Sequence, residues 1–459
     1  MQENPVQKII TVQREFFSAG RTRTAEFRLD ALKKLKAAII ANERQINEAL
    51  LKDLHKPLME SYASETGFVI NEINHALKNL GKWMRSATVR PSFMVFPSRS
   101  TIINEPYGAA LIIGAWNYPF QLTLGPLVGA IAAGNCCIVK PSELAPESSR
   151  IVGKIIGEAF DETHVAAVEG GVEVSRHLLE QRFDKIFFTG SPGVGKIVAE
   201  MAARQLTPVT LELGGKSPCI VDRDTDIDAA ARRILWGKFL NAGQTCVAPD
   251  YALVHAEVKE KFYAACRKRI TEFYGDRPEA SPDFPRIVNK KHFIRLKGYL
   301  EEGKIILGGQ YDENGLYIAP TVMETDNMDS PVMREEIFGP ILPVIAFTTL
   351  DEAEKIIGLN PDPLAFYLFS KNRGTVKRLT ERVPFGGGCI NDTLSHIMNP
   401  RLPFGGRGNS GMGCYHGKFG FDAFSHRKSV LKKGFAFEMK MKFPPYGDGY
   451  KYLKKLLMR

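Results

Sequence analysis

Residues 185–215 read KIFFTGSPGVGKIVAEMAARQLTPVTLELGG, and their pattern is the clearest indication of the fold class. An apolar run, KIFFT, leads into a Gly-Ser-Pro-Gly turn. The turn is followed by VGKIVAEMAARQL, in which apolar residues have helical spacing, and then by a second apolar run, VTLEL. A strand, a helix and a strand in this order predict a βαβ unit, whose two strands lie parallel in one sheet.

The segments before this unit repeat its pattern. From Ala109 onward the apolar runs ALII and CCIVK alternate with the helical segments GPLVGAIAAG and ESSRIVGKIIGEAF. We therefore predict an α/β fold with a doubly wound parallel sheet, which binds ligands in the loops at the carboxyl ends of its strands. Strand and helix signals continue after Cys246, from YALVHA to GGGCIND, and predict a second α/β domain.

The turn at Gly190 resembles a phosphate-binding loop. Gly190, Gly195 and Lys196 match GxxxxGK, but position 197 is Ile, where a phosphate-loop NTPase needs Ser or Thr to hold Mg²⁺. The GxGxxG fingerprint of dinucleotide-binding proteins is also absent from this turn. The remaining prediction is a Gly190-Ser191 turn that opens a helix, with the amides of residues 193–195 available to a pyrophosphate.

Three side chains near strand ends could take part in chemistry. Glu212 ends an apolar strand, where a carboxylate pairs with a cation or has a raised pKa that suits a general base; a surface position is the alternative. Asn117, in GAWNYPFQ (114–121), could donate its amide to an oxyanion or simply form a turn. Glu336, which forms a carboxylate pair with Glu335 in REEIFGPILPV (334–344), could accept from ribose hydroxyls or be a plain N-terminal charge.

Cys246 ends the stretch NAGQTC (241–246), where the amphipathic helix DIDAAARRILWGKFL runs out into a turn. Free cysteines are more often buried core residues than nucleophiles, so this motif alone leaves both interpretations open. The 7 cysteines include no CxxC pair and His numbers only 9. We therefore predict no disulfide framework, no metal site and a reducing compartment.

The net charge of +10 is concentrated at one end of the chain. Residues 426–459 hold ten Lys or Arg against Glu438 and Asp448, a net charge of +8. Because the body is nearly neutral, a general nucleic-acid-binding function is disfavoured. The N-terminus lacks the pattern of a signal peptide, and no apolar run is long enough to span a membrane, so the sequence predicts a cytoplasmic protein.

The two ends of the chain carry elements that need a partner. The first ~80 residues show helical spacing, and residues 86–108 form two short β-branched runs split by Pro-Ser, which predict a hairpin. Near the C-terminus, FAFEMKMKF (435–443) alternates apolar and polar residues and predicts a half-buried strand. The final YKYLKKLLMR (450–459) is either a short basic amphipathic helix that touches anionic lipid or a solvated end.

Taken together, the motifs resemble the aldehyde dehydrogenase superfamily over nearly the whole chain. FTGS, LELGGKSP, NAGQTC and EEIFGP occur in the family's order and spacing. The short chain, VKPSE, the PDY after Cys246 and NDTLSHIMNPRLPFGGRGNSGMG resemble the class 3 branch. That resemblance implies a homodimer that oxidises medium- or long-chain aliphatic or aromatic aldehydes to carboxylic acids.

The resemblance also implies the roles of individual residues. Cys246 would be the nucleophile, Glu212 the general base, and Asn117 with the backbone amide of Cys246 the oxyanion hole. NAD would be the favoured cofactor, with NADP open, because Lys140 would attract a 2′-phosphate that Glu143 would repel. The residues implied in cofactor binding are Trp116, Lys140, Glu143, Gly190, Ser191, Gly195, Gly214, Glu336 and Phe338.

The family pattern divides the chain into domains and leaves two alternatives. We expect a dinucleotide-binding domain at 1–85 and 106–211, a catalytic domain at 212–424, oligomerisation strands at 86–105 and 425–443, and a basic tail at 444–459. The alternatives are a coenzyme A-acylating dehydrogenase, which a hydrolytic Glu212 argues against, and a non-catalytic binding protein on the same fold. The basic tail also suggests weak contact with anionic membrane surfaces.

Overall fold

The computed structural model describes residues 5–439 and 442–458. The chain divides into two compact units. The larger comprises the chain up to Trp83 together with Pro106–Ser425, and the smaller comprises Met84–Glu105 together with the described part of His426–Arg459. Both predicted α/β regions lie in the larger unit.

Within the described residues, the α-helices are α1 (Pro5–Ser18), α2 (Ala25–Ala41), α3 (Glu43–Leu54), α4 (Leu58–Ser61), α5 (Gly67–Trp83), α6 (Gln121–Ala133), α7 (Pro146–Ala159), α8 (Val172–Glu180), α9 (Pro192–Ala203), α10 (Ile227–Phe239), α11 (Lys259–Tyr274), α12 (Lys290–Tyr299), α13 (Pro331–Arg334), α14 (Leu350–Gly358), α15 (Arg373–Arg382), α16 (Gly417–Ala423) and α17 (Gly449–Leu457).

The strands are β1 (Ala87–Val89), β2 (Ser98–Pro106), β3 (Ala109–Ile113), β4 (Cys136–Lys140), β5 (Val165–Ala167), β6 (Lys185–Thr189), β7 (Val209–Glu212), β8 (Pro218–Val221), β9 (Tyr251–His255), β10 (Lys304–Leu307), β11 (Tyr311–Asp312), β12 (Tyr317–Ile318), β13 (Thr321–Glu324), β14 (Ile341–Phe347), β15 (Ala365–Phe369), β16 (Gly387–Ile390), β17 (Gly411–Met412) and β18 (Ser425–Lys433).

The first sheet of the larger unit has the strand order β17-β7-β6-β3-β4-β5. Its strands are parallel except β17, which pairs antiparallel with β7. The chain runs from β3 through β4 to β5 and then returns to the other side of β3 to form β6 and β7. The predicted doubly wound topology is therefore confirmed, and its switch point lies beside β3, where such sheets bind ligands.

Continuous apolar runs form these strands because both faces of the sheet are covered. On one face, Ile10 of α1, Leu178 of α8 and Val198 of α9 pack with alternate strand residues, among them Leu111 and Ile186. The α6 helix is buried along its entire length, which explains why its sequence is apolar on all sides.

The second sheet has the order β10-β13-β14-β9-β8-β15-β16. Its strands are parallel except β10, which is antiparallel to β13. This sheet confirms the second α/β region. Glu212 ends β7, immediately before the chain enters this sheet, and Cys246 lies in the connection from β8 to β9.

In the smaller unit, β1, β2 and β18 form a three-stranded sheet. The predicted hairpin is confirmed, because Ala87 pairs with Ile102 and Val89 with Ser100 in antiparallel register. The strand predicted at 435–443 is wrong. The strand ends at Lys433, and residues 434–439 and 442–443 are not in a sheet; residues 440 and 441 lie outside the described part. Alternation alone cannot form a strand without a neighbour to pair with, and β2 pairs with β18 instead.

The helical conformation predicted for the C-terminus is present in α17, its contact with lipid stays a prediction, and Arg459 lies outside the described residues. Within the residues that the structure describes, no helix combines the length and the apolar character needed to cross a bilayer.

Candidate active site

Cys246 lies in a turn, and the backbone of the residues just before it is strained. The α10 helix ends at Phe239, and the following turn, Leu240–Gly243, holds Asn241 and Ala242 in the left-handed region, at φ 53° and 52°. Non-glycine residues adopt this region only where their surroundings hold them there, and such residues cluster at functional sites. Cys246 is therefore beyond the helix and not at its positive end.

The side chain of Gln244 fixes this turn. Its amide donates to the carbonyls of Asn241 and Arg286, both at 3.0 Å, and its oxygen accepts from the Val288 amide at 3.0 Å. A fully bonded, buried amide defines one conformation of the loop. The thiol of Cys246 therefore has a defined position.

Asn117 is buried against the same turn. Its Nδ2 donates to the Gln244 carbonyl at 3.0 Å, and its backbone carbonyl accepts from Asn241 Nδ2 at 2.8 Å. Residues far apart in sequence are thus joined by hydrogen bonds, and the Asn117 carboxamide lies beside the Cys246 loop, as an oxyanion donor requires.

A buried ion pair between Lys56 and Glu65, which no sequence motif predicted, contacts the backbone of Asn117. Lys56 Nζ lies 2.5 Å from Glu65 Oε1 and 3.0 Å from the Asn117 carbonyl oxygen, and both charged side chains are fully buried. Glu65 also accepts the amides of Phe120 and Gln121, at 3.1 and 3.0 Å. The only sequence signal is a pair of opposite charges in the otherwise helical stretch around residues 56–65.

Glu212 is the last residue of β7, and its side chain is buried. Its backbone is held on both sides, because Gly411 pairs with it in β17 and the Gly190 amide donates to its carbonyl at 3.0 Å. Neither carboxylate oxygen has a hydrogen-bond partner among the described residues, and burial raises the pKa of the group well above its usual range. The surface alternative is thus wrong.

The partly buried Cys246 thiol lies within electrostatic reach of two carboxyl groups. Burial raises its pKa first, and the charges of Glu336 and Glu212 raise it further, whereas the amides of Cys246 and Val247 lower it by hydrogen bonding. The structure therefore brings together the thiol, both predicted glutamates and two backbone donors.

The carboxyl ends of β3, β4 and β6 carry the residues predicted to bind a nucleotide. Lys140 ends β4, is buried, and places Nζ 2.5 Å from Oε2 of the half-exposed Glu143. Gly190 follows β6, and Ser191 caps α9 by accepting the Val194 amide at 3.4 Å. A ribose and a pyrophosphate would thus meet charged and helix-terminal groups on one sheet edge.

The turn differs from its sequence prediction in one respect. Of the amides at 193–195, those of Val194 and Gly195 both donate to Ser191, so only that of Gly193 remains from this group. A Cβ at position 195 would come within 2.6 Å of Leu213 Cδ2, so glycine there allows Leu213 to pack closely against the start of α9. The capped helix start still carries the positive end of its dipole.

Glu336 faces the Gly214-Gly215 turn. A Cβ on Gly214 would lie 1.9 Å from Glu336 Oε2, so the carboxyl occupies space that a side chain at position 214 would fill. Burial and the charge of Asp250 raise the pKa of Glu336 to about 8, although the Gly215 amide donates to it and lowers the pKa. A carboxylate so placed suits a ribose hydroxyl.

Phe338 and Trp116 form an aromatic wall. Their ring centroids are 5.3 Å apart with an interplanar angle of 74°, and Phe338 is held in the left-handed region at φ 52°. Because Trp116 follows β3 and Phe338 follows Glu336, the wall joins both parts of the predicted cofactor site, which fits a flat nicotinamide ring.

A second buried ion pair, also missed from the sequence, fixes the Glu336 loop. Lys216 Nζ lies 2.5 Å from Asp250 Oδ2 and donates to the carbonyls of Val332 and Glu335, at 2.9 and 2.8 Å. Asp250 accepts the Ile337 amide at 3.1 Å. Both charges lie within motifs that the family resemblance had marked, LGGKSP and PDY, but their pairing could not be read from either motif.

Comparison with known proteins identifies the chain's relatives. The family model "Aldehyde dehydrogenase family" matches residues 1–430. The chain is 48% identical to 4,4'-diaponeurosporen-aldehyde dehydrogenase of Staphylococcus aureus, over 98% of this chain and 99% of that protein. It is also 48% identical to aldehyde dehydrogenase family 3 member B1 of Rattus norvegicus, over 94% and 93%.

Solved structures share the fold. A substrate-bound state of S. aureus AldH superposes with a TM-score of 0.97 at 47% identity, covering 99% of this chain and 100% of that one. An NAD⁺ complex of an aldehyde dehydrogenase from Bacillus cereus gives 0.85 at 26% identity, covering 93% and 88%. The chain therefore belongs to the aldehyde dehydrogenase family, with close relatives in family 3, and is an NAD(P)-dependent enzyme that oxidises aldehydes to carboxylic acids.

Proposed function

We propose that Cys246 performs this oxidation as the nucleophile, with Glu212 as the general base. The observation that carries the proposal is the convergence of three groups away from bulk water: the partly buried Cys246 thiol, a buried Glu212 carboxyl with no hydrogen-bond partner among the described residues, and the buried Asn117 amide on the Cys246 loop. An acyl transfer needs a nucleophile, a base and an oxyanion donor in this arrangement.

In the first step, the Cys246 thiolate attacks the aldehyde carbon and forms a C–S bond. The electron pair of the carbonyl moves to its oxygen, where Asn117 Nδ2 and the Cys246 amide donate hydrogen bonds to the new oxyanion. A bound nicotinamide cofactor would supply the hydride acceptor, and loss of the hydride from this carbon would leave a thioester on Cys246.

Glu212 completes the reaction. Its carboxylate removes a proton from a water molecule, whose oxygen attacks the thioester carbon as the C–S bond breaks. The carboxylic acid leaves and Cys246 is again a thiolate. A carboxyl group without a fixed partner is free to accept this proton, which supports the assignment.

The cofactor residues follow from the same edge of the sheet. Gly190, Ser191 and Gly195 would lie beneath the pyrophosphate, and Glu336 would bind the nicotinamide ribose beside Phe338. Lys140 and Glu143 would meet the adenosine ribose. Because Lys140 Nζ lies 2.5 Å from Glu143 Oε2, its charge is already paired and would attract a 2′-phosphate less, which favours NAD over NADP.

We propose medium- or long-chain aliphatic or aromatic aldehydes as substrates. One relative is named a 4,4'-diaponeurosporen-aldehyde dehydrogenase, which supports an apolar substrate. Reduction rates of NAD⁺ and NADP⁺ with aldehydes of graded length, with and without coenzyme A, measure this preference. Stimulation by coenzyme A would favour the acylating alternative instead.

We further propose that the enzyme is a cytoplasmic homodimer whose basic tail, residues 444–459, makes weak contact with membrane surfaces. The exposed apolar residues of the smaller unit support dimer formation, among them Val430 and Leu431 on β18. The net charge of +8 on residues 426–459 supports contact with anionic lipid.

Replacement of the thiol tests the nucleophile directly. Cys246→Ala is expected to abolish aldehyde oxidation, because the proposed covalent intermediate forms on this thiol, while NAD⁺ affinity changes less than about threefold. Steady-state rates and calorimetric NAD⁺ binding measure the two quantities. Turnover above about a hundredth of the wild-type rate would contradict the assignment of Cys246.

A further inference from the structure

The C-terminal helix α17 has two chemically different sides. At about 100° of rotation per residue, its lysines fall on one side and its leucines and Tyr452 on the other. The lysines are Lys451, Lys454 and Lys455, and the apolar residues are Tyr452, Leu453, Leu456 and Leu457. This segregation is typical of a helix that lies at a boundary between water and an apolar phase.

The apolar side of α17 is open to solvent in this chain. Tyr452 is 68% exposed, Leu456 44% and Leu457 67%. Side chains of this size normally lose water contact on folding, so their exposure along one helix side marks a surface that binds something else.

The positive charge of α17 indicates which kind of surface it binds. Lys454 and Lys455 are exposed. Lys451 is also exposed, although its Nζ lies 3.0 Å from Oδ1 of Asp448, which is itself largely exposed. Lysines close to an anionic bilayer add electrostatic attraction to the apolar contact. A surface of lysine, leucine and tyrosine is complementary to anionic phospholipid. The lysines would pair with the headgroups, and the apolar side chains would be buried at the boundary of the acyl chains.

We infer that α17 is an interfacial helix that lies flat on an anionic phospholipid surface, with Leu453, Leu456 and Leu457 directed into the lipid. This inference rests on the proposed membrane contact and deepens it by assigning the contact to one element and one lipid class. Binding is reversible, because a single short helix buries too little apolar surface for permanent insertion. The enzyme would then meet apolar aldehydes at the surface into which they partition.

Co-sedimentation of the full chain with vesicles tests the inference. Wild-type protein should pellet with phosphatidylglycerol–phosphatidylcholine vesicles and stay in solution with phosphatidylcholine alone, and high salt should release it. Leu456→Ser/Leu457→Ser should lower the partition coefficient about tenfold or more without changing the charge. Lys454→Gln/Lys455→Gln should lower it by a similar factor through the charge.

A matched control uses Lys371→Gln/Lys377→Gln, which removes the same charge from exposed positions in the larger unit and should pellet like the wild type. Equal pelleting of the wild type and the leucine variant would overturn the inference. The inference would also be overturned if the leucine variant pelleted normally but had a different oligomeric mass in light scattering. The apolar side of α17 would then contact a second copy of the chain. Cys246→Ala should still pellet, so a wrong nucleophile and a wrong lipid site give different results.

Discussion

Among single residues, Cys246 is the proposed nucleophile, and its environment opposes ionisation of its thiol. Burial and two neighbouring carboxyl groups raise the pKa of Cys246, and Cys246 lies beyond the end of α10, so that helix offers no positive end to it. The raised pKa of Glu336, about 8, reduces this obstacle, because a protonated carboxyl does not repel a thiolate. A cationic nicotinamide nearby would favour the thiolate further.

The proposed role of Glu212 predicts a step-specific defect. In Glu212→Gln the first turnover should release reduced nicotinamide at nearly the wild-type rate, while steady-state turnover falls roughly 100-fold, because only hydrolysis needs the base. Rapid-mixing measurements separate the two phases. An unchanged deacylation rate would show that another group activates the water.

The same substitution should not destabilise the protein. Burial raises the pKa of Glu212, so the stability of the wild type falls as the pH rises from the ordinary carboxyl pKa toward that of the folded state. Glutamine cannot ionise and removes this loss. We expect Glu212→Gln to have an equal or higher Tm than the wild type at pH ~8 and nearly the same Tm at pH ~4; a lower Tm at the higher pH would mean that the carboxylate has a stabilising partner.

Glu336 predicts a pH dependence of cofactor binding. Its pKa is about 8, and an ionised carboxylate accepts more strongly from ribose hydroxyls, so NAD⁺ affinity should increase as the pH rises through 8. Glu336→Gln should remove this dependence, as titration calorimetry between about pH 6.5 and 9 would measure.

The neighbouring Glu335 provides a matched control. It is exposed and accepts a hydrogen bond from the Tyr299 hydroxyl at 2.7 Å. Glu335→Gln should therefore keep the wild-type pH dependence. If both variants lose it, the titrating group is not Glu336.

At the scale of elements, the site depends on loops held by buried charges. The loop from α13 to Phe338 is fixed by Lys216 and Asp250, and the loop after β3 by Lys56 and Glu65. A buried ion pair contributes little relative to apolar side chains, but losing one partner leaves an uncompensated charge. These pairs therefore specify loop positions more than they add stability.

Lys216→Met tests this account. We expect it to lower the free energy of unfolding by about 3–5 kcal/mol, because Asp250 is left buried without its cation, and to weaken NAD⁺ binding through the displaced Glu336 loop. Denaturant unfolding and calorimetry measure the two effects. As a control, Lys34→Met breaks the exposed pair with Asp30, 2.9 Å long, and should change stability by less than about 1 kcal/mol. Similar losses in both variants would refute the distinction.

At the scale of the whole molecule, the smaller unit gives a test of the proposed dimer. Leu431 on β18 is about half exposed, and a sheet that exposes such residues suits a subunit interface. Light scattering should give a dimer mass for the wild type, and Leu431→Glu should raise the dimer Kd about tenfold or more. As a control, Lys432→Gln lowers the net charge by the same amount as Leu431→Glu at the neighbouring position, and this variant should remain dimeric. A monomeric wild type would contradict the proposal.

Local sequence patterns predicted the features that depend on adjacent residues. Apolar runs and helical spacing predicted the βαβ order, and Glu212, Cys246, Glu336 and the Gly190 turn stood out within short motifs. These signals are local, because the period of a strand or helix and the chemistry of a turn are set by adjacent residues. The mistaken strand at 435–443 shows the limit of such signals.

The contacts between residues far apart in the chain became visible only in the folded structure. Asn117 reaches the Gln244 carbonyl, Lys216 pairs with Asp250, and β18 rather than the segment after it pairs with β2. Partners so far apart in the chain are chosen by packing and by the cost of leaving a buried charge or amide unpaired, and neither has a period that a sequence displays.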